Sequence, residues 1–239
     1  MRYWLVMPAA GAGRRFGSEL PKQYSPLAGR SVIDCSLAPF LSDPRCRGIV
    51  VVVAGEDTVW PAIRQRCAGS VPLHDAPGGA ERADSVLSGL QQLSALGAAD
   101  DDLVLVHDAA RPCLPRGDLD SLLRALAEGA SAALLATPLA DTLKREAESG
   151  HAGGTFVAQT LPRRGLWRAL TPQAAPLGRL RAALQAARAR GEQPTDESQA
   201  LEAAGVAVRL VAGSAANLKI TTPADLRLAQ ALLAQGELP

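Results

Sequence analysis

Residues 48–54 read Gly-Ile-Val-Val-Val-Val-Ala, an unbroken apolar run dominated by β-branched side chains. A strand with no polar face must be covered on both sides, the situation of a parallel sheet between two helical layers. The neighbouring stretches supply those layers. Tyr3–Val6 reads as a first strand. Ser31 is placed to cap a helix through Leu41, with Val32, Ile33, Leu37 and Phe40 on one face, and Asp43-Pro44 ends it. The pattern then predicts a helix over Asp57–Cys67, a weaker strand at Val71–His74, a long helix from Glu81 to Leu96 and a buried strand at Leu103–His107. A helix at Asp118–Glu128 and a strand at Ala132–Thr137 follow. This alternation argues for an α/β fold built on a doubly wound, mostly parallel sheet.

In such sheets ligands bind beyond the carboxyl ends of the strands. The loops after Val6, His74, His107 and Thr137 are therefore expected to meet at one cleft. The first of them is Pro8-Ala9-Ala10-Gly11-Ala12-Gly13, followed by Arg14, Arg15 and Lys22. Side chains this small let backbone N–H groups approach an anion, and the cations behind them suit a polyphosphate. The dinucleotide fingerprint does not fit, because the third glycine is Gly17, one place late. The P-loop does not fit either, because no lysine directly follows Gly13 or Gly17. What remains is G-x-G-x-R with Pro21-Lys22 six residues after Arg15. That pattern resembles nucleotidyltransferases that move a nucleoside monophosphate onto a sugar phosphate; the plain alternative is a glycine-rich turn with surface cations.

After Thr137 the alternation breaks. Asp141–Lys144, a glycine-rich stretch at Gly150–Gly154 and Thr155–Thr160 predict a β-hairpin outside the main sheet. Such a ribbon is barely stable alone and is expected to pack on a second copy. Helices are expected at Arg164–Leu170, Leu177–Arg190 and from Asp196 to Ala204, a strand at Val206–Val211, an extended piece at Asn217–Ile220 and a last helix opened by Thr222-Pro223. The 239 residues read as one domain, with 141–160 as its arm.

Charge and cysteine usage narrow the function classes. With 25 basic and 24 acidic residues, the net charge of +1 gives no general reason to bind nucleic acid or a membrane surface. No run of 18 apolar residues occurs, and the glycine loop arrives too early for a signal peptide. The four cysteines form no C-x-x-C and the three histidines are scattered, which argues against structural zinc and for reduced thiols in the cytoplasm.

Asp108, at the tip of a buried strand facing the phosphate loop, is the candidate ligand for Mg²⁺; it would otherwise cap the turn before Arg111. Asp84 and Ser85 either hydrogen-bond a base or ribose, or serve the start of their own helix. Asp141 and Thr142 either hold a polar substrate or form a turn. Cys113 lacks a partner base, so no nucleophile–base pair is evident.

The stretches PAAGAGRRFGSELPKQY, GGAERADSV, HDAARP, DTLK, RRGLWRALTPQ, TDE and NLKIT, in this order from Leu5 to Leu232, resemble the 2-C-methyl-D-erythritol 4-phosphate cytidylyltransferase family. The resemblance implies transfer of CMP from CTP to methylerythritol phosphate with release of pyrophosphate, in non-mevalonate isoprenoid synthesis. It implies that Arg15 and Lys22 stabilise transition-state charge and that the backbone of Pro8, Ala9, Ala10, Gly11, Ala12 and Gly13 holds ribose and phosphates. Gly79, Ala80 and Ser85 would recognise cytosine, with Asp84 beside them, and Asp108 would contact ribose or Mg²⁺. Arg163 and Lys219 would position the acceptor, with Thr142 and Thr171 nearby. Ala109, Arg111, Asp141 and Thr195 complete the implied substrate-binding set. The family is homodimeric, and its hairpin arm reaches the neighbour's site. Ala80 stands where some relatives carry an acid, and Pro162-Arg163-Arg164 leaves open which arginine enters the site. Alternatives are the related ribitol 5-phosphate cytidylyltransferases and a catalytically silent nucleotide sensor.

Overall fold

A computed structural model describes residues 1–11, 20–147 and 154–235. In chain order the elements are β1 (Tyr3–Pro8), a 3₁₀ turn (Lys22–Tyr24), β2 (Pro26–Leu27), β3 (Arg30–Ser31), α1 (Val32–Leu41), β4 (Cys46–Val53) and α2 (Trp60–Arg66). Next come β5 (Leu73–Pro77), α3 (Arg82–Ala95), β6 (Leu103–Val106), α4 (Arg116–Ala127), β7 (Ala132–Pro138), β8 (Leu143–Glu146) and β9 (Val157–Leu161). The chain closes with β10 (Trp167–Pro176), α5 (Leu177–Ala189), α6 (Glu197–Ala203), β11 (Val208–Ala212) and α7 (Pro223–Ala234).

Seven strands form one sheet in the order β11-β7-β10-β6-β1-β4-β5. The pairs β1–β4, β1–β6, β4–β5 and β7–β11 are parallel, and only β10 runs antiparallel to its neighbours β6 and β7. The doubly wound, mostly parallel sheet expected from the alternation is therefore present. Its two faces follow from the pleat, which sends successive side chains to opposite sides. Tyr3, Leu5 and Met7 pack with Ile33, Phe40, Trp60 and Leu122 on one side. Trp4 and Val6 pack with Val86, Leu90, Leu180 and Leu201 on the other. Gly89 lets α3 close on the sheet, since a Cβ there would meet a Val6 methyl at 2.5 Å. Residues of β2, α1 and α7 bury a third cluster around Ile220.

Several helix starts follow local chemistry. Ser31 and Asp34 form a reciprocal capping box on α1, and Thr222 and Asp225 form another on α7, with Pro223 in the first turn. Other expectations are corrected. Arg164–Leu170, expected as a helix, is loop followed by β10, which inserts between β6 and β7. The fifth strand lies at Leu73–Pro77 rather than Val71–His74, because its register is set by pairing with β4 as far as Val53↔Pro77. Asn217–Ile220 lies outside the sheet, and its Ile220 N–H donates to the Ala110 carbonyl at 2.8 Å.

The hairpin is present as a separate two-stranded sheet, β8 with β9. Phe156 is 50% exposed and Val157 62%, so within one chain the ribbon buries neither.

Candidate functional site

The order of strands reverses at β1, flanked by β4 and β6, and a cleft of about 680 Å³ opens beyond the carboxyl ends of β1 and β6. Pro8, Ala9, Ala10 and Gly11 form one wall, Gly79–Arg82 with Ser85 another, and Asp108, Ala109, Lys22 and Lys219 the floor and far side. Three of the four loops expected to converge do so. The fourth, after β7, leads into the hairpin instead and contributes nothing to this cleft. A second hollow of about 790 Å³, between α1 and α2, is lined by Tyr24, Arg30, Asp34 and Arg66 and holds none of the candidate residues.

The first wall is pinned by a buried side chain. Gln23 donates from Nε2 to the carbonyls of Ala9 at 2.6 Å and Gly11 at 3.4 Å. Its neighbour Lys22 reaches across the chain and donates to the carbonyl of Ile220 at 2.8 Å. Ala12, Gly13 and Arg15 lie outside the described residues. The second wall needs its glycines: a Cβ on Gly78 would meet that of Ala10 at 2.3 Å, and one on Gly79 that of Asp84 at 2.3 Å. The Ser85 hydroxyl accepts from Gly79 N–H at 3.0 Å and donates to the Glu81 carbonyl at 3.2 Å. Asp84 accepts from Glu81 N–H in a capping box, so in this structure it serves its own helix.

Asp108 is the hub of the floor. Its Oδ1 accepts from Arg82 (3.1 and 3.2 Å), and its Oδ2 faces Arg111 Nε at 3.3 Å and Lys219 Nζ at 2.9 Å. Burial would push this carboxyl upward, but Arg82, Lys219 and Arg111 outweigh it and hold the group below the ordinary carboxylate range. Arg82 also forks onto Glu197, at 2.7 and 3.2 Å. Burial alone would lower the Arg82 pKa; Glu197 and then Asp108 reverse that and keep the guanidinium charged.

Behind the floor lies a neutral relay. The His107 ring Nε2 sits 3.1 Å from the Arg111 carbonyl and Nδ1 3.0 Å from Thr171 Oγ1, which accepts the Asp108 backbone N–H at 3.1 Å. These partners assign the proton to Nε2, with Nδ1 accepting from the Thr171 hydroxyl. Burial pushes the ring down to about 4. Thr171 thus supports Asp108 from inside the protein. Arg111 is likewise buried, donating to the Asn217 carbonyl at 2.8 Å.

Asp141, Thr142, Arg163 and Thr195 do not line the cleft of their own chain. Asp141 and Thr142 are exposed at the base of the hairpin, Arg163 donates to the Ala140 carbonyl, and Thr195 engages Gln199. Sequence reasoning missed Arg82 and Glu197. Both lie inside stretches it had singled out, GGAERADSV and TDE, but only spatial pairing across 115 positions shows what they do. Burial pushes the Cys113 thiol up to about 12, and it faces the Ala229 carbonyl at 3.9 Å.

No group of three or more His, Cys, Asp or Glu side chains that could hold a metal occurs among the described residues. Asp108 could act as the protein carboxylate of a hard cation that takes most of its ligands from substrate phosphates and water, provided the ion displaces the half-exposed Lys219 from Oδ2.

The match to known proteins covers the whole framework just described. A family model for 2-C-methyl-D-erythritol 4-phosphate cytidylyltransferase matches residues 3–235. The chain belongs to the 2-C-methyl-D-erythritol 4-phosphate cytidylyltransferase family. It is 53% identical to a protein of that name from Pseudomonas paraeruginosa over 94% of this chain and 93% of the relative. It is 52% identical to one from Acidithiobacillus ferrooxidans over 98% and 97%. A crystal structure of a 4-diphosphocytidyl-2C-methyl-D-erythritol synthase superposes with a TM-score of 0.81 at 37% identity, covering 98% of this chain and all of that one. The Francisella tularensis cytidylyltransferase gives 0.80 at 30% identity, over 97% of this chain and 100% of that one. Members of this cytidylyltransferase family are nucleotidyltransferases, and no helix among the described residues is long and apolar enough to cross a membrane.

Proposed function

We propose that the cleft between the Pro8–Gly11 wall and Lys219 is where this chain carries out its family's reaction, transfer of CMP from CTP to 2-C-methyl-D-erythritol 4-phosphate. A phosphate oxygen of the acceptor attacks the α-phosphorus of CTP. The bond from that phosphorus to the bridging oxygen breaks, pyrophosphate leaves with the electron pair, and a diphosphate linkage forms. The reaction asks the protein for positioning and charge neutralisation rather than covalent chemistry. The observation that carries this reading is the convergence of a small-residue loop, two lysines and one buried carboxylate on a single cleft.

In this reading the backbone of the first loop, through Gly13, holds ribose and phosphates. Gly79, Ala80 and Ser85 read the base, and Asp84 keeps their wall in shape. Lys22, together with Arg15, meets the charge that grows on the phosphates in the transition state. Lys219, already drawn to Asp108, is placed to take the acceptor phosphate. Ala109 leaves room beside Asp108, while Thr171 and Arg111 hold that carboxylate. The bound divalent cation, Mg²⁺ here, would neutralise phosphate charge, with Asp108 as its protein ligand. Asp141 and Thr142 at the base of the hairpin, and Arg163 just past it, would serve the cleft of a second copy, with Thr195 at the edge of the acceptor side. The exposed Phe156 and Val157 support that homodimer.

The test is pyrophosphate release with CTP and Mg²⁺, using methylerythritol phosphate and ribitol 5-phosphate as separate acceptors. Release dependent on the first alone is the expected result. Release with ribitol 5-phosphate would reassign the acceptor, and no release with either would leave a nucleotide-binding protein without this activity.

A further inference from the structure

Arg82, which lines the cleft, is paired with two carboxylates. Asp108 belongs to the cleft floor; Glu197, at the first position of α6, is nearly fully buried and does not line the cleft. The guanidinium gives Nη1 and Nη2 to Glu197 and turns Nε and Nη2 to Asp108. Such a fork has fixed geometry, so holding one edge orients the other. Glu197 is itself held by the first turn of α6, where Gln173 accepts from Ser198 N–H at 2.8 Å and donates to Asp196 at 3.0 Å. The side chain of Arg82 nevertheless keeps 27% of its surface open, and it lines the cleft.

We propose that Glu197 is a positioning residue: by gripping Arg82 from behind the cleft, it keeps that guanidinium on Asp108 and off the bound triphosphate. This rests on the reading that CTP occupies the cleft. An arginine released from Glu197 retains its charge and turns to the nearest polyanion. It then stabilises bound CTP and pyrophosphate as much as the transition state, which tightens binding without helping turnover. Asp108 meanwhile loses the partner that orients its Oδ1.

The experiment compares Glu197→Gln with the wild type, measuring CTP affinity by calorimetry without acceptor and turnover by pyrophosphate release. The expected result is CTP bound at least about threefold more tightly and turnover at least about tenfold slower. A purely structural role would lower the melting temperature and leave both values intact in the folded protein. Unchanged values, or weaker CTP binding, overturn the proposal. In an Arg82→Gln background, Glu197→Gln should alter turnover by less than about twofold, because the two act as a unit; a full additional loss overturns it equally. Should Glu197→Gln fail to fold, Arg82→Lys decides. That variant keeps the charge and gives up the fork, so it should show the same tighter binding and slower turnover, and wild-type values would overturn the idea. A wild-type chain that binds no CTP defeats the functional reading and this inference with it. A wild type active beside an unaffected Glu197→Gln defeats only the inference.

Discussion

Lys22 Nζ and the Ile220 carbonyl oxygen lie 2.8 Å apart although 198 positions separate them. The contact ties the segment after the glycine-rich loop to the segment carrying Lys219, whose own ammonium lies 2.9 Å from Asp108. The two lysines assigned to opposite ends of the reaction are thus held on one short stretch of backbone, and a change in either registers at the same cleft.

Replacing Lys22 with alanine should lower turnover by at least about a hundredfold, roughly 2.7 kcal/mol of barrier, with a smaller loss of CTP affinity. The charge it meets is greatest in the transition state, so rate suffers more than binding. Arg15→Ala is expected to behave in the same way. Steady-state kinetics beside CTP calorimetry check this, and near-wild-type turnover in either variant would remove that residue from the catalytic set.

Asp108→Asn leaves Arg82, Arg111 and Lys219 around a neutral amide. Breaking a buried ionic cluster by removing one partner typically costs about 3–5 kcal/mol, so urea denaturation should show a clear loss of stability. The amide is also a poor ligand for a hard cation, and the Mg²⁺ concentration for half-maximal activity should rise sharply. A destabilised variant with an unchanged Mg²⁺ titration would make Asp108 purely a structural counter-ion and turn cap.

The buried His107 ring predicts an acid-side loss of stability. Its folded pKa lies near 4, below the roughly 6.5 of an exposed imidazole, so between those values the unfolded chain binds a proton the native one refuses. Stability should therefore decline as pH falls from about 6.5 toward 4, by up to about 1.4 kcal/mol per pH unit from this group. The depressed carboxyl of Asp108 acts later: its stabilisation is present above the ordinary carboxylate pKa of about 3.9 and is lost only below it. Denaturation midpoints for wild type and His107→Gln across that range separate the two, and parallel pH slopes would show that His107 is not the source.

The hairpin predicts complementation. If Arg163 crosses to the neighbour's cleft, mixing Arg163→Ala chains with Lys22→Ala chains should restore part of the activity, because one site of the mixed dimer carries neither change. A dimer without recovery would return Arg163 to its own subunit. Sedimentation of a monomer alone at micromolar concentration would end the shared-site proposal.

Much of this was legible in the chain itself. The β-branched run of β4 and the caps at Ser31 and Thr222 are local signals whose physics does not depend on distant residues, whereas Gly78 is needed because Ala10, far away in sequence, packs against it. The cleft followed from them, because alternating strands and helices leave their carboxyl-end loops on one edge of the sheet. The hairpin was visible as a break in that alternation.

What the sequence alone determined, then, is the layered parallel sheet and the cleft at the carboxyl ends of its strands. Tertiary structure decided the rest. Residues 167–176 look helical or featureless in isolation, since Ala169, Ala174 and Ala175 favour no strand; they become β10 because a slot between β6 and β7 offers both edges for hydrogen bonding. The charge network was equally hidden. Asp108, Arg82, Glu197 and Lys219 come from four separate segments, and a buried carboxylate is tolerated only when folding brings its cations to it, which no local pattern records.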